Sequence, residues 1–354
     1  MSRPTDVTVN VAAIRPRLPD PMDAPVLRWG VLGTGWIAER FVAALRRNTR
    51  QVVTAVASRD GARGAAFAGR HGIARVHDDA GALAADPEVD IVYVATPHPA
   101  HVGGALAAID AGTHVLVEKP LGLDAAEATR IAERAAAAGV YCAEALWTFF
   151  LPRFDVVRQV LESGVIGPLR TVLAEYGEYL PDGHRAMDPA LAGGSLLDLG
   201  IYPVALASRL LGEPRRVLAT GDANRFGVNA QTGALVQDDA GALAVLYTGL
   251  SGSTPTTATI AGTRGAIELP GPFYQPGDVI VRTWADGEIL RYTEPAVAHE
   301  ALYWEAAAVA RDVAAGRTQS RERPLADSIA ALRLMDAVRE RLGVSYVRTN
   351  EGVA

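Results

Sequence analysis

Three short stretches of this chain combine residue types and spacings that could do chemistry. Gly33-Thr34-Gly35-Trp36-Ile37-Ala38 is a G-x-G-x-x-A pattern behind the apolar run Trp29-Gly30-Val31-Leu32. In such a turn Gly33 permits the bend, Gly35 lets a pyrophosphate approach the backbone, and Ala38 allows close helix packing. The helix N-terminus adds free N–H groups and positive potential. Glu118-Lys119-Pro120 places two charges at the end of the apolar run His114-Val115-Leu116-Val117, where ligands bind in open α/β sheets. In Gly193-Gly194-Ser195-Leu196-Leu197-Asp198-Leu199-Gly200-Ile201-Tyr202, Asp198 and Tyr202 differ by four and on one helix would share a face. Ser195 and Asp198 also fit an S-x-x-D capping box, in which Asp198 only satisfies backbone N–H groups. The pattern alone leaves both readings open.

The glycine pattern is weak in isolation, so its weight comes from the elements around it. From Val26, short β-branched runs alternate with alanine-rich amphipathic segments, the signature of β-α-β units and a parallel sheet. Strands are predicted over 27–32, 52–58, 91–96 and 114–118, and helices over 36–46, 62–69, 99–111 and 124–138. The last two helices end at Gly112 and Gly139. With a strand before and a helix after, the turn is read as dinucleotide-binding. An NAD site carries Asp or Glu about 20 residues past the motif. This chain has Ser58-Arg59 there, and the planar fork of Arg59 suits a 2′-phosphate, so NADP is favoured. Asp60 is the counter-argument, although it could equally cap the next helix, and Arg63 is either a second cation or part of a solvated face.

After Trp147 the rhythm changes. A helix is expected near 153–162, then strands over 169–179, 217–225, 239–250, 257–261, 266–269 and 279–285, with turn residues such as Asp286-Gly287 between them. Two helices, about 299–315 and 325–342, close the chain. The expected architecture is an α/β domain over 26–145 with a parallel sheet, followed by an α+β domain over 146–354 with a large, mostly antiparallel open sheet. Residues 1–25 hold five prolines among polar residues and read as a loose arm, disordered in preference to wrapped on a partner subunit.

Composition narrows the function classes. The 354 residues carry a formal net charge of −6, which gives no basic field for nucleic acid or an anionic bilayer. Cys142 is the only cysteine, so there is no disulfide framework or thiolate metal site, and a reducing cytoplasm fits. The closest histidines, His98 and His101, lack neighbouring carboxylates, so no metal is expected. No run reaches the roughly 18 apolar residues of a membrane span.

Taken in order, the Gly33–Ala38 turn, Ala95-Thr96-Pro97 with His101, Glu118-Lys119-Pro120 and the Gly193–Tyr202 segment resemble the Gfo/Idh/MocA oxidoreductase family. Glu144-Ala145-Leu146-Trp147, Tyr202, Tyr303-Trp304-Glu305-Ala306 and Arg323-Pro324-Leu325 are most similar to its dimeric dihydrodiol dehydrogenase and NADP-dependent D-xylose dehydrogenase branch. The resemblance implies hydride transfer in a cleft between an N-terminal Rossmann domain and a C-terminal domain whose open sheet forms a homodimer or homotetramer. It implies Lys119 and Tyr202 as catalytic groups, with Asp198 orienting the substrate or Lys119. It implies cofactor contacts from Gly33, Thr34, Gly35, Trp36, Ile37, Ser58, Arg59, Arg63, Thr96, Pro97, His101, Glu118 and Lys119, and substrate contacts from Trp147, Tyr176 and Arg185. Oxidising an alcohol needs a base and reducing a carbonyl needs the corresponding acid. An ammonium beside a phenol lowers its pKa, so Lys119 is expected to tune Tyr202. The chain departs from the pattern at His184, Phe149 and Asn229, which bears on the substrate more than on the reaction. A small-molecule sugar, cyclic diol or nucleotide-linked ketosugar is the expected substrate, and a non-catalytic NADP-sensing regulator is the rival from another class.

Overall fold

Apolar runs flanked by amphipathic alanine-rich segments bury best as a parallel sheet covered on both faces by helices. The computed structural model describes residues 10–347. The chain passes through β1 (Arg28–Leu32), α1 (Trp36–Asn48), β2 (Val52–Ala57), α2 (Gly61–His71), β3 (Arg75–His77), α3 (Ala80–Ala84), β4 (Ile91–Val94), α4 (His101–Asp110), β5 (His114–Glu118), α5 (Ala125–Ala138) and β6 (Cys142–Ala145). These strands make a six-stranded sheet ordered β3-β2-β1-β4-β5-β6, parallel throughout. The order reverses between β1 and β4, so the crevice at their C-terminal ends is a topological switch point.

The second part runs through α6 (Pro152–Glu162), β7 (Leu169–Gly177), α7 (Ser195–Asp198), α8 (Ile201–Leu211), β8 (Arg216–Ala223), β9 (Asn229–Gln237), β10 (Leu243–Gly249), β11 (Ala258–Gly262), β12 (Gly265–Leu269), β13 (Val279–Thr283), β14 (Gly287–Tyr292), α9 (Tyr303–Ala314) and α10 (Leu325–Leu342). The eight strands are ordered β14-β13-β12-β11-β7-β10-β9-β8. Every pair is antiparallel except β7 with β10. Strands β9 and β10 alternate buried and exposed residues, which gives the sheet one core face, covered by α8 and α10, and one outer face. α9 returns to pack against α1. Among the described residues no single helix is long and apolar enough to cross a membrane.

Three expectations need correction. Strands β3, β6, β9 and β14 lie outside the predicted spans. β3 is three residues with little burial, β6 is Cys-Ala-Glu-Ala without a β-branched residue, and β9 holds asparagine, glycine and three alanine or threonine positions that weaken the strand signal. Second, Asp198 and Tyr202 do not share one helix face, because the helical path bends by 50° between Asp198 and Ile201. A Cβ on Gly200 would meet the Leu196 carbonyl oxygen at 2.4 Å, so only glycine allows the bend. Third, the loose arm expected over 1–25 is docked from Asn10 onward, and its earlier part lies outside the described residues. Ile14 and Pro21 are buried, the Arg17 N–H donates to Asp155 Oδ2 (2.8 Å), and Gln159 Nε2 donates to the Arg15 carbonyl (2.8 Å). Prolines resist helix and sheet but not packing, and here α6 satisfies the backbone polar groups that regular structure would otherwise pair.

Asp155→Ala therefore lowers unfolding stability by about 1–3 kcal/mol, the cost of stranding buried donors, and speeds tryptic cleavage after Arg17, which Leu18 follows. Urea denaturation and limited proteolysis check this, and an unchanged cleavage rate would detach the arm's docking from Asp155.

Candidate active site

The crevice of the first sheet is built from a turn that tolerates only glycine at its bend. Gly33 has φ +108°, and a Cβ there would meet the Ala95 carbonyl oxygen at 2.6 Å. Gly35 differs, since a Cβ there would meet no protein atom within 4 Å, so packing within the chain does not require glycine. Thr34 and Ile37 are half-buried beside it, Trp36 is exposed, and Ala38 is fully buried. Ser58 and Arg59 follow β2 with no acidic residue between strand and turn. Asp60 caps α2, its Oδ1 accepting the Arg63 N–H (3.1 Å), and the Arg59 and Arg63 residues are exposed. Beyond β4, Thr96 Oγ1 and His98 Nδ1 are buried without a hydrogen-bond partner, and Pro97 is exposed. The open Gly35 face and these orphaned polar atoms fit a dinucleotide lying across the strand ends.

Two residues expected at the cofactor are placed differently. His101 is fully buried, its ring nitrogens 2.8 Å from the Pro120 carbonyl and 2.9 Å from that of Thr96. Burial pushes this imidazole down to about 4 against the pull of the two carbonyls. It braces the strand ends from inside. Glu118 also turns inward, accepting from the Tyr93 hydroxyl and the Lys119 N–H (3.1 Å).

Lys119 reaches across to the second part of the chain. Its Nζ donates to the Asp198 carbonyl (2.8 Å) and lies 3.3 Å from Asp198 Oδ1, which also accepts from Arg185 Nη2 at 2.7 Å. His98 Nε2 stands 3.8 Å from the same oxygen. Burial opposes ionisation of Asp198, but the charges of Lys119 and Arg185 prevail and hold the carboxyl well below its ordinary range. The capping-box reading does not hold. Ser195 Oγ donates to Asn229 Oδ1 (2.7 Å), and that same oxygen accepts the Leu196 N–H at 3.3 Å. Asn229 thus caps α7 from another strand, leaving the Asp198 side chain to the cations. The Lys119–Pro120 peptide bond is cis. Lys119 is the only lysine among the 34 Lys and Arg residues of the chain, a signal that its motif alone does not carry.

Beside these charges stands an aromatic wall. The Tyr202 ring has Lys119 Nζ 5.1 Å from its centroid, Tyr274 at 4.3 Å and Tyr176 at 5.9 Å. The Tyr176 and Tyr274 hydroxyls are 2.8 Å apart, and Tyr176 donates onward to Glu178 Oε2. Trp147 is buried within 6.2 Å of Tyr274 and stacks on His299 at 5.2 Å, which meets Trp36 edge-on at 4.7 Å. The expected tuning of Tyr202 is not found. Burial pushes its phenol well above the ordinary value, Tyr274 adds to this, and the Trp147 N–H opposes it. Lys119 lies over the ring while its protons go to Asp198. Phe149 is packed between the Arg209 and Arg323 guanidinium groups at 4.9 and 5.2 Å. Tyr274 and His299 are not among the expected site residues, because Tyr274 sits in a Pro/Gly-rich loop and His299 at the very start of the expected 299–315 helix, where no local pattern aims a side chain at the cleft.

Two family models match the chain. Residues 27–146 match "Oxidoreductase family, NAD-binding Rossmann fold" and residues 154–268 match "GFO/IDH/MocA C-terminal domain". The chain belongs to the Gfo/Idh/MocA oxidoreductase family. Among its relatives, trans-1,2-dihydrobenzene-1,2-diol dehydrogenase of Bos taurus is 34% identical, covering 90% of this chain and 98% of its own. The solved structure of KijD10, a 3-ketoreductase from Actinomadura kijaniata in complex with NADP and TDP-benzene, is 30% identical with a TM-score of 0.79, over 89% of this chain and 98% of that one. Levoglucosan dehydrogenase, solved with NADH and levoglucosan, shares the fold at 19% identity and a TM-score of 0.81, over 92% and 100% of the two chains.

As a Gfo/Idh/MocA oxidoreductase the protein has an NAD(P)-binding Rossmann fold, and near Glu118 lies a further buried carboxyl. Glu305, in the first turn of α9, is fully buried and neither side-chain oxygen has a hydrogen-bond partner. Burial and the nearby Glu118 push it well above the ordinary 4.5. As pH rises through the ordinary glutamate range, the unfolded chain loses this proton while the folded chain keeps it, so the group's contribution to stability falls with pH. Glu305→Gln removes that slope. Urea denaturation from pH 5 to 8 should show the variant gaining on the wild type by about 1.4 kcal/mol for each unit of native pKa elevation titrated. A pH-independent difference would leave Glu305 ionised in the fold.

Proposed function

We propose that this oxidoreductase is NADP-dependent and moves a hydride between nicotinamide and a CH–OH or C=O group of a sugar or cyclic diol. The observation that carries the reading is Lys119 beside Tyr202, backed by Asp198, at the strand ends next to the dinucleotide turn. In this reading residues 26–145 bind the cofactor and residues 146–354 provide the substrate wall. A bound nicotinamide supplies or accepts the hydride. The Tyr202 phenol gives a proton to the carbonyl oxygen in reduction and takes it back in oxidation. The Lys119 ammonium donates to the same oxygen and stabilises its developing charge, while Asp198 fixes that ammonium. Trp147, Tyr176 and Tyr274 offer aromatic carbon beside phenol hydroxyls, suited to a polyhydroxylated ring. The diol dehydrogenase and ketoreductase relatives support this substrate class.

NADP is favoured over NAD by Ser58-Arg59 where an NAD site carries an acid, with Asp60 occupied as a helix cap. Arg63, exposed on the next turn, is a second candidate for the 2′-phosphate. A nucleotide-linked ketosugar is the second reading, favoured by the ketoreductase solved with TDP-benzene and by Arg185, whose side chain is 47% exposed.

The outer face of the second sheet supports self-association. Leu173, Val245, Leu235 and Leu218 stand opposite one another across β7, β10, β9 and β8, each 44–48% exposed. Such a contiguous apolar row on a sheet face fits a second copy of the chain better than water.

Absorbance at 340 nm, with NADP⁺ against D-xylose, D-glucose and trans-cyclohexanediol, and with NADPH against a nucleotide-linked ketosugar, tests the reading. Tyr202→Phe keeps NADPH affinity and lowers turnover by roughly 100-fold or more, and an unchanged rate removes Tyr202 from the chemistry. Because burial holds the phenol protonated, the reductive rate stays level from pH 6 to 9, and a midpoint near 7 would assign the proton to another group. Arg59→Ala shifts preference from NADP toward NAD. Val245→Glu turns the oligomer into monomers by sedimentation velocity, and an unchanged mass would move the interface elsewhere.

A further inference from the structure

Behind the reacting face lies a buried ion pair that the proposed chemistry does not use. Glu144, in β6, is fully buried. Its Oε1 accepts the Leu121 N–H (3.0 Å), and its Oε2 accepts from Arg323 Nε (2.9 Å) and Ser328 Oγ (2.7 Å). Arg323 is likewise fully buried. Taking two charges out of water is expensive, and a well-packed apolar pair of similar volume often replaces a buried ion pair without loss of stability. Stability alone is therefore a poor reason for this one.

Its position gives a better reason. Leu121 is two residues beyond Lys119, and three backbone groups of this turn are held by three different buried side chains. The Lys119 N–H meets Glu118, the Pro120 carbonyl meets His101, and the Leu121 N–H meets Glu144. β6 lies beside β5 in register, with Glu144 opposite Val117. On its far side the Cys142 N–H donates to the Thr318 carbonyl, anchoring the 317–324 segment that brings in Arg323. A carboxylate is a stronger acceptor for that N–H than a neutral oxygen, and Arg323 is its paired counter-charge at 2.9 Å.

We propose that Glu144, clamped by Arg323, is a positioning residue for Lys119: by fixing the 119–121 turn through the Leu121 N–H, it sets the ammonium against Asp198. The proposal rests on the reading of Lys119 as catalytic. Two double variants separate it from a structural role. Glu144→Gln/Arg323→Met removes both charges but keeps an amide oxygen for the Leu121 N–H, whereas Glu144→Leu/Arg323→Leu removes that acceptor too. Since Lys119 is the only lysine, protein labelled with [13Cε]lysine reports it as a single side-chain resonance. The Leu/Leu variant should shift or split this resonance, move its titration and lower kcat by about tenfold to 100-fold at unchanged NADPH affinity. The Gln/Met variant, which keeps a weaker acceptor for the Leu121 N–H, should fall between the Leu/Leu variant and the wild type in both signal and rate.

A folded Leu/Leu variant with the wild-type resonance and rate overturns the proposal, as does a loss of rate that follows melting temperature equally in both variants. Ser328→Ala is the milder lever, removing one hydroxyl from Glu144 and no charge. If neither double variant folds, movement of the lysine signal in Ser328→Ala supports positioning, and an unmoved signal makes the cluster structural. Wild-type turnover in Lys119→Met would instead overturn the catalytic reading of Lys119, which the resonance measurement does not depend on.

Discussion

The contact between Lys119 and Asp198 joins two sheets that share no hydrogen-bonded strands. Each partner is supplied by a different part of the chain, 79 residues apart. Asp198 is buried, so its ionisation depends on Lys119 and Arg185, while Lys119 has 14% of its side chain exposed and depends on Asp198 for its orientation. This constraint explains the backbone around it. α7 is only four residues long, bends away at Gly200, and is capped by Asn229 from β9, with Thr248 of β10 donating to the Ser195 carbonyl (3.1 Å). The second sheet holds the carboxylate in place for a cation that the first sheet delivers.

The aromatic wall depends on a different buried charge. Arg153 of α6 has no exposure, and its guanidinium donates to the carbonyls of Gln275 (2.6 Å) and Asp278 (2.5 Å). Thr148 Oγ1 donates to the Tyr274 carbonyl (2.9 Å). A loop with three prolines and two glycines between Pro270 and Gly277 has no regular partners for its carbonyls, and these donors replace them. The Tyr274 backbone is thereby fixed, which holds its ring against Tyr202 and Tyr176. The wall and the charge cluster are thus supported by different buried side chains, and they meet at Tyr202, whose ring touches Tyr274 on one side and Lys119 on the other.

Legibility followed the range of the interactions. Elements whose burial is written in local periodicity were readable: β5 and α10 occur over the spans the apolar pattern implies, and the Gly33–Ala38 turn lies where strand meets helix. Short strands such as β3 and β6 were not, because their pairing comes from neighbours already in place and their own residues have little strand preference. The site divided in the same way. Lys119, Asp198 and Tyr202 were legible from motif and resemblance, but their mutual geometry was not. Spacing by four assumes a continuous helix, and only the close approach of Gly200 to Leu196 shows that this one breaks. Tyr274, His299 and Glu305 reach the site through contacts that no sequence interval encodes. The inward turn of Glu118 depends on Tyr93, a strand away in the sheet.

The identity of residue 119 adds a last argument. The chain uses arginine for every other cation among its 34 Lys and Arg residues, including buried ones such as Arg153 and Arg323 and exposed ones such as Arg59. Whatever drives that choice, it has not extended to 119. Arginine there could still pair with Asp198, and its planar fork suits a carboxylate at least as well. What it would not supply is a compact ammonium with rotatable donors, able to bond Asp198 and still present a proton to an oxygen beside Tyr202. A compact donor at 119, and not merely a positive charge, is what the proposed role beside Tyr202 needs and what neutralising Asp198 alone would not.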